Sequence, residues 1–69
     1  MSNMLLMVNG KSKDIPGTPS LQDVIASLCK NPALVIAELN GIIIERDVWP
    51  AATLKTNDKL ELVSFVGGG

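Results

Sequence analysis

The sequence predicts a small α+β domain: a mixed sheet of about five strands with one main helix packed on one face. The chain has 69 residues, which is room for one compact domain. Two apolar runs end in Asn-Gly dipeptides, at residues 9–10 and 40–41, a pair that favours tight hairpin turns. The apolar residues between the hairpins have helical spacing. Two hairpins around one helix therefore predict a sheet with one covered face.

The first hairpin consists of an apolar strand and a polar one. Residues 4–8 are a short apolar run, and the Asn-Gly turn follows directly. Residues 11–15 are polar and include two lysines, a composition typical of an edge strand protected against pairing with other chains. These two segments are predicted to pair.

A helix is predicted after the turn-forming residues 16–19. Ser20 is placed to accept a hydrogen bond from a first-turn amide, and Asp23 lies near the positive end of the helix. The apolar residues then follow at offsets of three, four and seven, which puts them on one stripe: Leu21, Val24, Ile25 and Leu28. Asn31-Pro32 is expected to end the helix.

The second hairpin and a last strand complete the predicted sheet. Residues 34–40 and 42–44 are β-rich segments joined by the second Asn-Gly turn. Residues 45–58 are interpreted as a connection with one helical turn, because they contain Pro50 and lack a clear period. The last strand is predicted over residues 59–66.

This order of elements is that of a β-grasp domain. By analogy with ubiquitin-like folds, the first and last strands should lie side by side at the sheet centre, with each hairpin partner outside them. Residues 1–66 are the predicted domain, and residues 67–69, Gly67, Gly68 and Gly69, are a predicted flexible tail.

Charge and cysteine content limit the partners and the location. Six Lys and Arg against seven Asp and Glu give a net charge of −1, and the basic residues are scattered along the sequence without a basic stripe. Neither a nucleic acid nor a membrane is therefore expected as a partner. There is one cysteine, and no apolar run approaches the roughly 18 residues of a membrane span. We expect a cytoplasmic protein.

Catalysis by the chain itself is not expected. It has no histidine or tyrosine, and its carboxylates are not grouped in a recognisable motif, so neither a catalytic residue nor a metal site is predicted. Cys29 is the sole candidate nucleophile, but no base accompanies it, and we interpret it as a packed small hydrophobic residue. Trp49 is interpreted as a packing residue in the long connection.

The glycine run is the informative feature of the sequence. An apolar strand passes directly into three glycines that end in a free α-carboxylate. Three extended residues span roughly 10 Å, enough to reach into another protein's active site. Glycine also leaves the terminal carbonyl unhindered. The alternative is a frayed end or a cloning remnant.

Five short motifs are distributed along nearly the whole chain: VNG at 8–10, SLQDVI at 20–25, IAELNG at 36–41, ER at 45–46 and NDKLELVSFVGGG at 57–69. With these motifs the chain resembles the ThiS sulfur carriers of thiamine biosynthesis, small β-grasp proteins that end in Gly-Gly. Asn57 departs from the glycine that usually precedes this aspartate, but asparagine tolerates the same left-handed turn.

The resemblance implies a role as a recycled substrate. A ThiF-like adenylyltransferase would use ATP and Mg to convert the Gly69 carboxylate to an acyl-adenylate. Sulfur from a cysteine desulfurase persulfide, or from another donor, would displace AMP and leave a thiocarboxylate. Thiazole synthase would then take that sulfur. No cofactor bound by this chain is implied.

Strand alternation predicts a docking face on the sheet. If the inward residues point at the helix, the opposite face presents apolar side chains that should form one contiguous patch: Leu5, Met7, Ile36, Val63 and Phe65. Such a patch normally marks a partner site. The alternative is that the chain ends partly cover Leu5 and Phe65.

Three other functions fit the sequence pattern. The small subunit of molybdopterin synthase also ends in Gly-Gly, but it usually has a proline before the tail, and residues 63–66 have none. A ubiquitin-like modifier would be conjugated to target lysines through Gly69. A binding module would leave the tail inert.

Overall fold

The computed structural model describes residues 3–64 of the chain. Five strands form one sheet: β1 Asn3–Val8, β2 Lys11–Pro16, β3 Val35–Leu39, β4 Ile42–Ile44 and β5 Lys59–Ser64. One α-helix, α1, spans Leu21–Leu28, and two short 3₁₀ helices span Pro32–Leu34 and Arg46–Ala51. The prediction of a mixed five-stranded sheet with one main helix is confirmed.

The strands lie in the order β2-β1-β5-β3-β4. β1 and β5 pair in parallel at the centre, and the two hairpins pair antiparallel on either side of them. β3 pairs antiparallel with β5. This is the strand order expected from the β-grasp analogy, because each hairpin places its second strand at an edge.

Both hairpin turns need a backbone that most residues avoid. Asn9 has φ 51° and Asn40 has φ 52°, and the glycines that follow them also have positive φ. A two-residue turn of this kind matches the twist of the flanking strands, and Asn-Gly adopts it at low cost. The turn residues therefore fix the register of both hairpins.

Ser20 caps the start of α1 as predicted, and Asp23 makes the cap reciprocal. The Ser20 Oγ accepts a hydrogen bond from the Asp23 amide at 3.1 Å, and the Asp23 carboxylate accepts one from the Ser20 amide at 3.2 Å. The helix ends at Leu28, earlier than Asn31-Pro32, because Cys29 is already extended and Pro32 begins a 3₁₀ turn. Leu28 is consequently 37% exposed.

The core lies between α1 and the helix-facing side of the sheet. Its buried hydrophobic residues come from every layer: Met4, Leu6, Val8, Leu21, Val24, Ile25, Val35, Ala37, Trp49 and Leu60. Trp49 is a packing residue as predicted, and its Nε1 donates to the Ile44 carbonyl at 2.9 Å. Cys29 is partly buried against this core, which agrees with its interpretation as a small hydrophobic residue.

The start of β3 differs from the sequence prediction. Leu34 belongs to the first 3₁₀ helix rather than to β3, and 42% of it is exposed. Within residues 3–64, no helix is long and apolar enough to cross a membrane.

Candidate functional site

The strand that leads toward the glycine run is the middle strand of the sheet. β5 has β1 on one side and β3 on the other, so both of its backbone edges are paired. The predicted tail residues Gly67, Gly68 and Gly69, and Phe65 of the docking face, lie outside the described residues. The described part of β5 ends at Ser64, which is still paired with Val35 of β3.

Asn9 binds β5 where the parallel pairing with β1 ends. Its Oδ1 accepts from the Leu62 amide at 2.8 Å, and its Nδ2 donates to the Leu62 carbonyl at 3.2 Å. The Asn9 backbone amide also donates to the Leu60 carbonyl at 2.9 Å. The turn residue thus continues the ladder past the end of β1 and holds the second half of β5.

Asn40, in the other Asn-Gly turn, does the same at the beginning of β5. Its Oδ1 accepts from the Lys59 amide at 2.9 Å, and its own amide donates to the Lys59 carbonyl at 2.8 Å. Its Nδ2 donates to the Asp58 Oδ1 at 3.0 Å. Both turns are therefore joined to the strand that leads to the tail.

Asp58 completes this junction as a buried carboxylate. Its Oδ2 accepts from the Lys55 amide at 2.9 Å, and the Lys55 ammonium lies 3.5 Å from Oδ1. Burial raises the pKa of Asp58, but the hydrogen bonds from Asn40 and Lys55 and the Lys55 charge together outweigh it, so the pKa lies below its ordinary value. The group is ionised at neutral pH.

Sequence reasoning missed Asn9, Asn40 and Asp58 as residues that hold the tail-bearing strand. The interpretation of the Asn-Gly dipeptides as turns explains their backbone but not their side chains. Glycine would also adopt positive φ at the first turn position, so the presence of asparagine at both turns was the available signal.

The described docking-face residues lie on the sheet face away from α1, here called the open face. Leu5 is 42% exposed, Ile36 38% and Val63 57%, and Met7 is half-buried. Their neighbours along each strand point at the core, as the period-two alternation predicts.

The register divides these residues into two pairs, so the prediction of one contiguous patch is wrong. Ile36 lies directly opposite Val63 near the end of β5, whereas Met7 is aligned with Lys59 at its beginning. Val63 is four residues beyond Lys59, which is roughly 13 Å along a strand. Because β1 ends before it reaches Val63, Leu5 and Met7 stay at the other end of the sheet.

Charged side chains separate the two apolar pairs. Glu38 and Glu61 lie directly opposite each other on β3 and β5. Like charges in this position oppose each other, so the pair costs stability in the free protein. A partner that covers the open face must therefore meet carboxylates between two apolar ends.

Residues 3–64 contain no group of three or more His, Cys, Asp or Glu that could hold a metal ion. Every buried side-chain nitrogen or oxygen in this part of the chain has a hydrogen-bond partner. The candidate reactive group is therefore the carboxylate of the glycine run to which β5 leads.

Comparisons of the sequence and of the structure with known proteins both match this chain to the same family. The ThiS family profile matches residues 6–69. The chain is 38% identical to the sulfur carrier protein ThiS of Bacillus subtilis, over 94% of this chain and all of that protein. It also resembles the crystal structure of the thiamine biosynthesis protein ThiS from Geobacter metallireducens, with a TM-score of 0.82, 35% identity, and coverage of 96% and 100% of the two chains.

A third relative is an enzyme. A thiazole synthase of Magnetococcus marinus is 29% identical to this chain over 66 residues. The match spans 96% of this chain but only 20% of that enzyme.

Proposed function

This chain belongs to the ThiS family of sulfur carrier proteins, which act in thiamine biosynthesis, and on that premise we propose that Gly69 carries the sulfur as a thiocarboxylate. The observation that supports this role most is the position of β5. Its central place in the sheet gives a rigid base from which three glycines can present one carboxylate.

The carboxylate must first be activated, because it is anionic and has no leaving group. In the proposed first step, a Gly69 carboxylate oxygen attacks the α-phosphorus of Mg-bound ATP on a ThiF-like adenylyltransferase, and pyrophosphate leaves. The product is an acyl-adenylate. ATP and Mg belong to the activating enzyme rather than to this chain.

Sulfur then replaces AMP. The terminal sulfur of a persulfide, formed by a cysteine desulfurase or another donor, attacks the acyl carbon and AMP leaves with the bonding electrons. A thiol cleaves the resulting acyl disulfide, becomes oxidised to a disulfide, and leaves the thiocarboxylate on Gly69. The carrier then holds a nucleophilic sulfur.

We assign the catalysis to the partners rather than to the carrier. The chain has no histidine or tyrosine to act as a general base, and Cys29 is partly buried against the core. The carrier would return to the carboxylate after each transfer, as a recycled substrate. We propose that this cycle takes place in the cytoplasm.

Thiazole synthase is the proposed acceptor of the sulfur. The support is the segment of the Magnetococcus marinus thiazole synthase that resembles nearly all of this chain. A carrier-like segment in the same polypeptide as the enzyme has a high effective concentration at its active site. A separate carrier needs a docking surface to achieve the same.

The open face is the proposed docking surface for both enzymes. Ile36 and Val63 form its better-placed pair, because they lie opposite each other near the last described residue of β5. Leu5 and Met7, with Phe65 beyond the described residues, complete the proposed set. Burial of exposed aliphatic side chains would stabilise each complex.

The two alternative tail functions differ in the product. A molybdopterin synthase subunit would also form a thiocarboxylate, but the match to the ThiS family favours the thiamine pathway. A ubiquitin-like modifier would form an isopeptide bond between Gly69 and a target lysine, with no sulfur retained.

The test is the intact mass of the chain after incubation with the adenylyltransferase, Mg-ATP and a sulfur donor. We expect one carboxyl oxygen to be replaced by sulfur. A variant that lacks Gly69 should keep its thermal stability and show no such change, because the shortened tail no longer reaches the activating site. The same sulfur gain in this variant would contradict the assignment.

A further inference from the structure

A groove on the helix side of the sheet gathers half of the chain's basic residues. Three of the six, Lys11, Lys13 and Lys30, line an open cavity of about 790 Å³ between β2 and the segment after α1. The lysines are scattered in sequence, but the first hairpin and the end of α1 bring them together. We call this cavity the lysine groove.

The described lining of the lysine groove contains no acidic residue to balance these charges. None of its lining residues is Asp or Glu. Within residues 3–64, the ion pair found joins Lys55 to Asp58, so the three groove lysines have no carboxylate from this part of the chain within 4 Å. Three like charges that face one cavity raise the affinity of the cavity for an anionic partner.

The rest of the lining is aliphatic in large part. Leu28 and Leu34 are 37% and 42% exposed on the wall formed by the end of α1 and the first 3₁₀ helix. Leu62, half-buried on β5, lies at the sheet side of the groove. A ligand that fills this groove must therefore offer aliphatic groups as well as negative charge.

These features distinguish between classes of ligand. A single-stranded nucleic acid would be expected to find aromatic stacking residues, but none of the lining residues within 3–64 is aromatic. A small inorganic anion would leave the leucines exposed to water. An extended protein segment that alternates acidic and aliphatic side chains satisfies both the lysines and the leucines.

The position of the groove relates it to the tail. Ser64, the last described residue of β5, is one of its lining residues. A segment bound there would lie beside the base of the tail, on the side of the sheet opposite the open face. One partner could thus contact the carrier both at the lysine groove and on the open face, on the two sides of β5.

We propose that the lysine groove binds an acidic, aliphatic segment of thiazole synthase. The assignment rests on the proposed function, which makes this enzyme the acceptor of sulfur. It is the partner for which a carrier-like segment occurs in the same polypeptide. The contact would set the direction in which the tail enters the enzyme.

The test compares two charge reversals that change the net charge equally. Lys13→Glu reverses a groove charge, and Arg46→Glu reverses an exposed charge outside both the groove and the open face. We expect Lys13→Glu to weaken binding to thiazole synthase about tenfold, and Arg46→Glu to change it less than about twofold. Because screening weakens charge pairs, added salt should reduce wild-type binding more than binding of Lys13→Glu.

A second variant protects the test against a folding defect. Lys30→Glu, on the opposite wall, should cause a similar loss at unchanged thermal stability. Equal affinity of all variants for thiazole synthase would overturn the proposal. So would a loss confined to the adenylyltransferase, which would assign the groove to the activating enzyme.

Two controls distinguish groove binding from a failure of sulfur loading and from dimer formation. Lys13→Glu should still gain sulfur at Gly69, whereas a wild-type chain that gains none would refute the proposed function instead. Sedimentation should show a monomer. A wild-type dimer that dissociates on Lys13→Glu would show that a second copy fills the groove and would overturn the proposal.

Discussion

The buried carboxylate of Asp58, just before β5, accepts several hydrogen bonds. It accepts from Asn40 and from the Lys55 backbone, and its own amide donates to the Lys55 carbonyl at 3.1 Å. The Lys55 ammonium is mostly exposed, so its ion pair contributes little compared with the buried hydrogen bonds. The stability that Asp58 provides depends on its charge.

The lowered pKa of Asp58 predicts how stability changes with pH. Because the folded-state pKa lies below the unfolded value of about 3.9, this contribution is complete above that value and is lost as the pH falls through the folded-state pKa. Asp58→Asn should lower the free energy of unfolding by about 2 kcal/mol at pH 7, because its amide nitrogen cannot accept from Lys55. Urea unfolding measures this.

Comparison at acid pH provides the check. The difference between wild type and Asp58→Asn should shrink as the pH falls below about 4, roughly the unfolded-state pKa. Asp47→Asn, at an exposed position of the second 3₁₀ helix, should change stability by less than about 0.5 kcal/mol. A difference for Asp58→Asn that stays constant with pH would contradict the role of the charge.

Asn9 tests whether a turn side chain holds the tail-bearing half of β5. Asn9→Gly keeps a residue that adopts positive φ but removes both hydrogen bonds to Leu62. We expect a loss of about 1–2 kcal/mol and faster hydrogen exchange of the Leu62 amide. NMR exchange rates of the folded protein measure the second effect.

Asn57→Gly is the matched control. Asn57 also has positive φ, but its side chain makes no hydrogen bond with residues 3–64. This variant should leave the stability and the exchange of Leu62 nearly unchanged. Equal effects of the two substitutions would show that the loss comes from replacing an asparagine at positive φ, and not from the hydrogen bonds of the Asn9 side chain to β5.

At the scale of elements, the sequence predicts local structure better than the relation between distant strands. Two Asn-Gly turns and the Ser20–Asp23 cap depend on residues close in sequence, and each is predictable from them. The alternation of faces along β1, β3 and β5 is also predictable, since it depends on a period of two. The end of α1 is less predictable from the sequence, because Asn31-Pro32 sets only the last position at which the helix can end.

The open face shows what local patterns leave undetermined. Alternation identifies which side chains point outward, but the offset between β1 and β5 decides which of them meet. Contacts between residues distant in sequence, such as Asn9 with Leu62, accompany that offset. For the same reason, the grouping of three lysines around one groove is not visible in the sequence.

Val63 is the residue whose replacement tests docking on the open face. Val63→Glu would bury an unpaired charge beside Glu61 in any complex that covers this face, so we expect at least about tenfold weaker binding to the adenylyltransferase and to thiazole synthase. The free variant should fold normally, because 57% of Val63 is exposed. Calorimetric titration gives the affinities.

Ile42→Glu is the control for this substitution. Ile42 is 65% exposed on the edge strand β4 and lies opposite Leu39, which packs against the core, so it is on the other side of the sheet. Its replacement should leave both affinities within about twofold of wild type. Unimpaired binding of Val63→Glu would place docking elsewhere.

Over the whole molecule, the charged side chains are unevenly distributed, although the net charge is only −1. Carboxylates lie between the apolar pairs of the open face, and lysines line the groove on the helix side. β5 runs between these two surfaces and leads to the glycine run. The two surfaces differ in chemistry, which fits the proposal that different parts of the carrier contact its partner enzymes.

The proposed role of the chain depends on the transfer of sulfur from Gly69 to the thiazole ring. The direct measurement begins with a chain loaded with a heavy isotope of sulfur and then incubated with thiazole synthase and its other substrates. We predict that the isotope appears in the thiazole product while the intact mass of the carrier returns to that of the carboxylate. An unlabelled thiazole, or a carrier joined through Gly69 to a lysine of another protein, would contradict the claim.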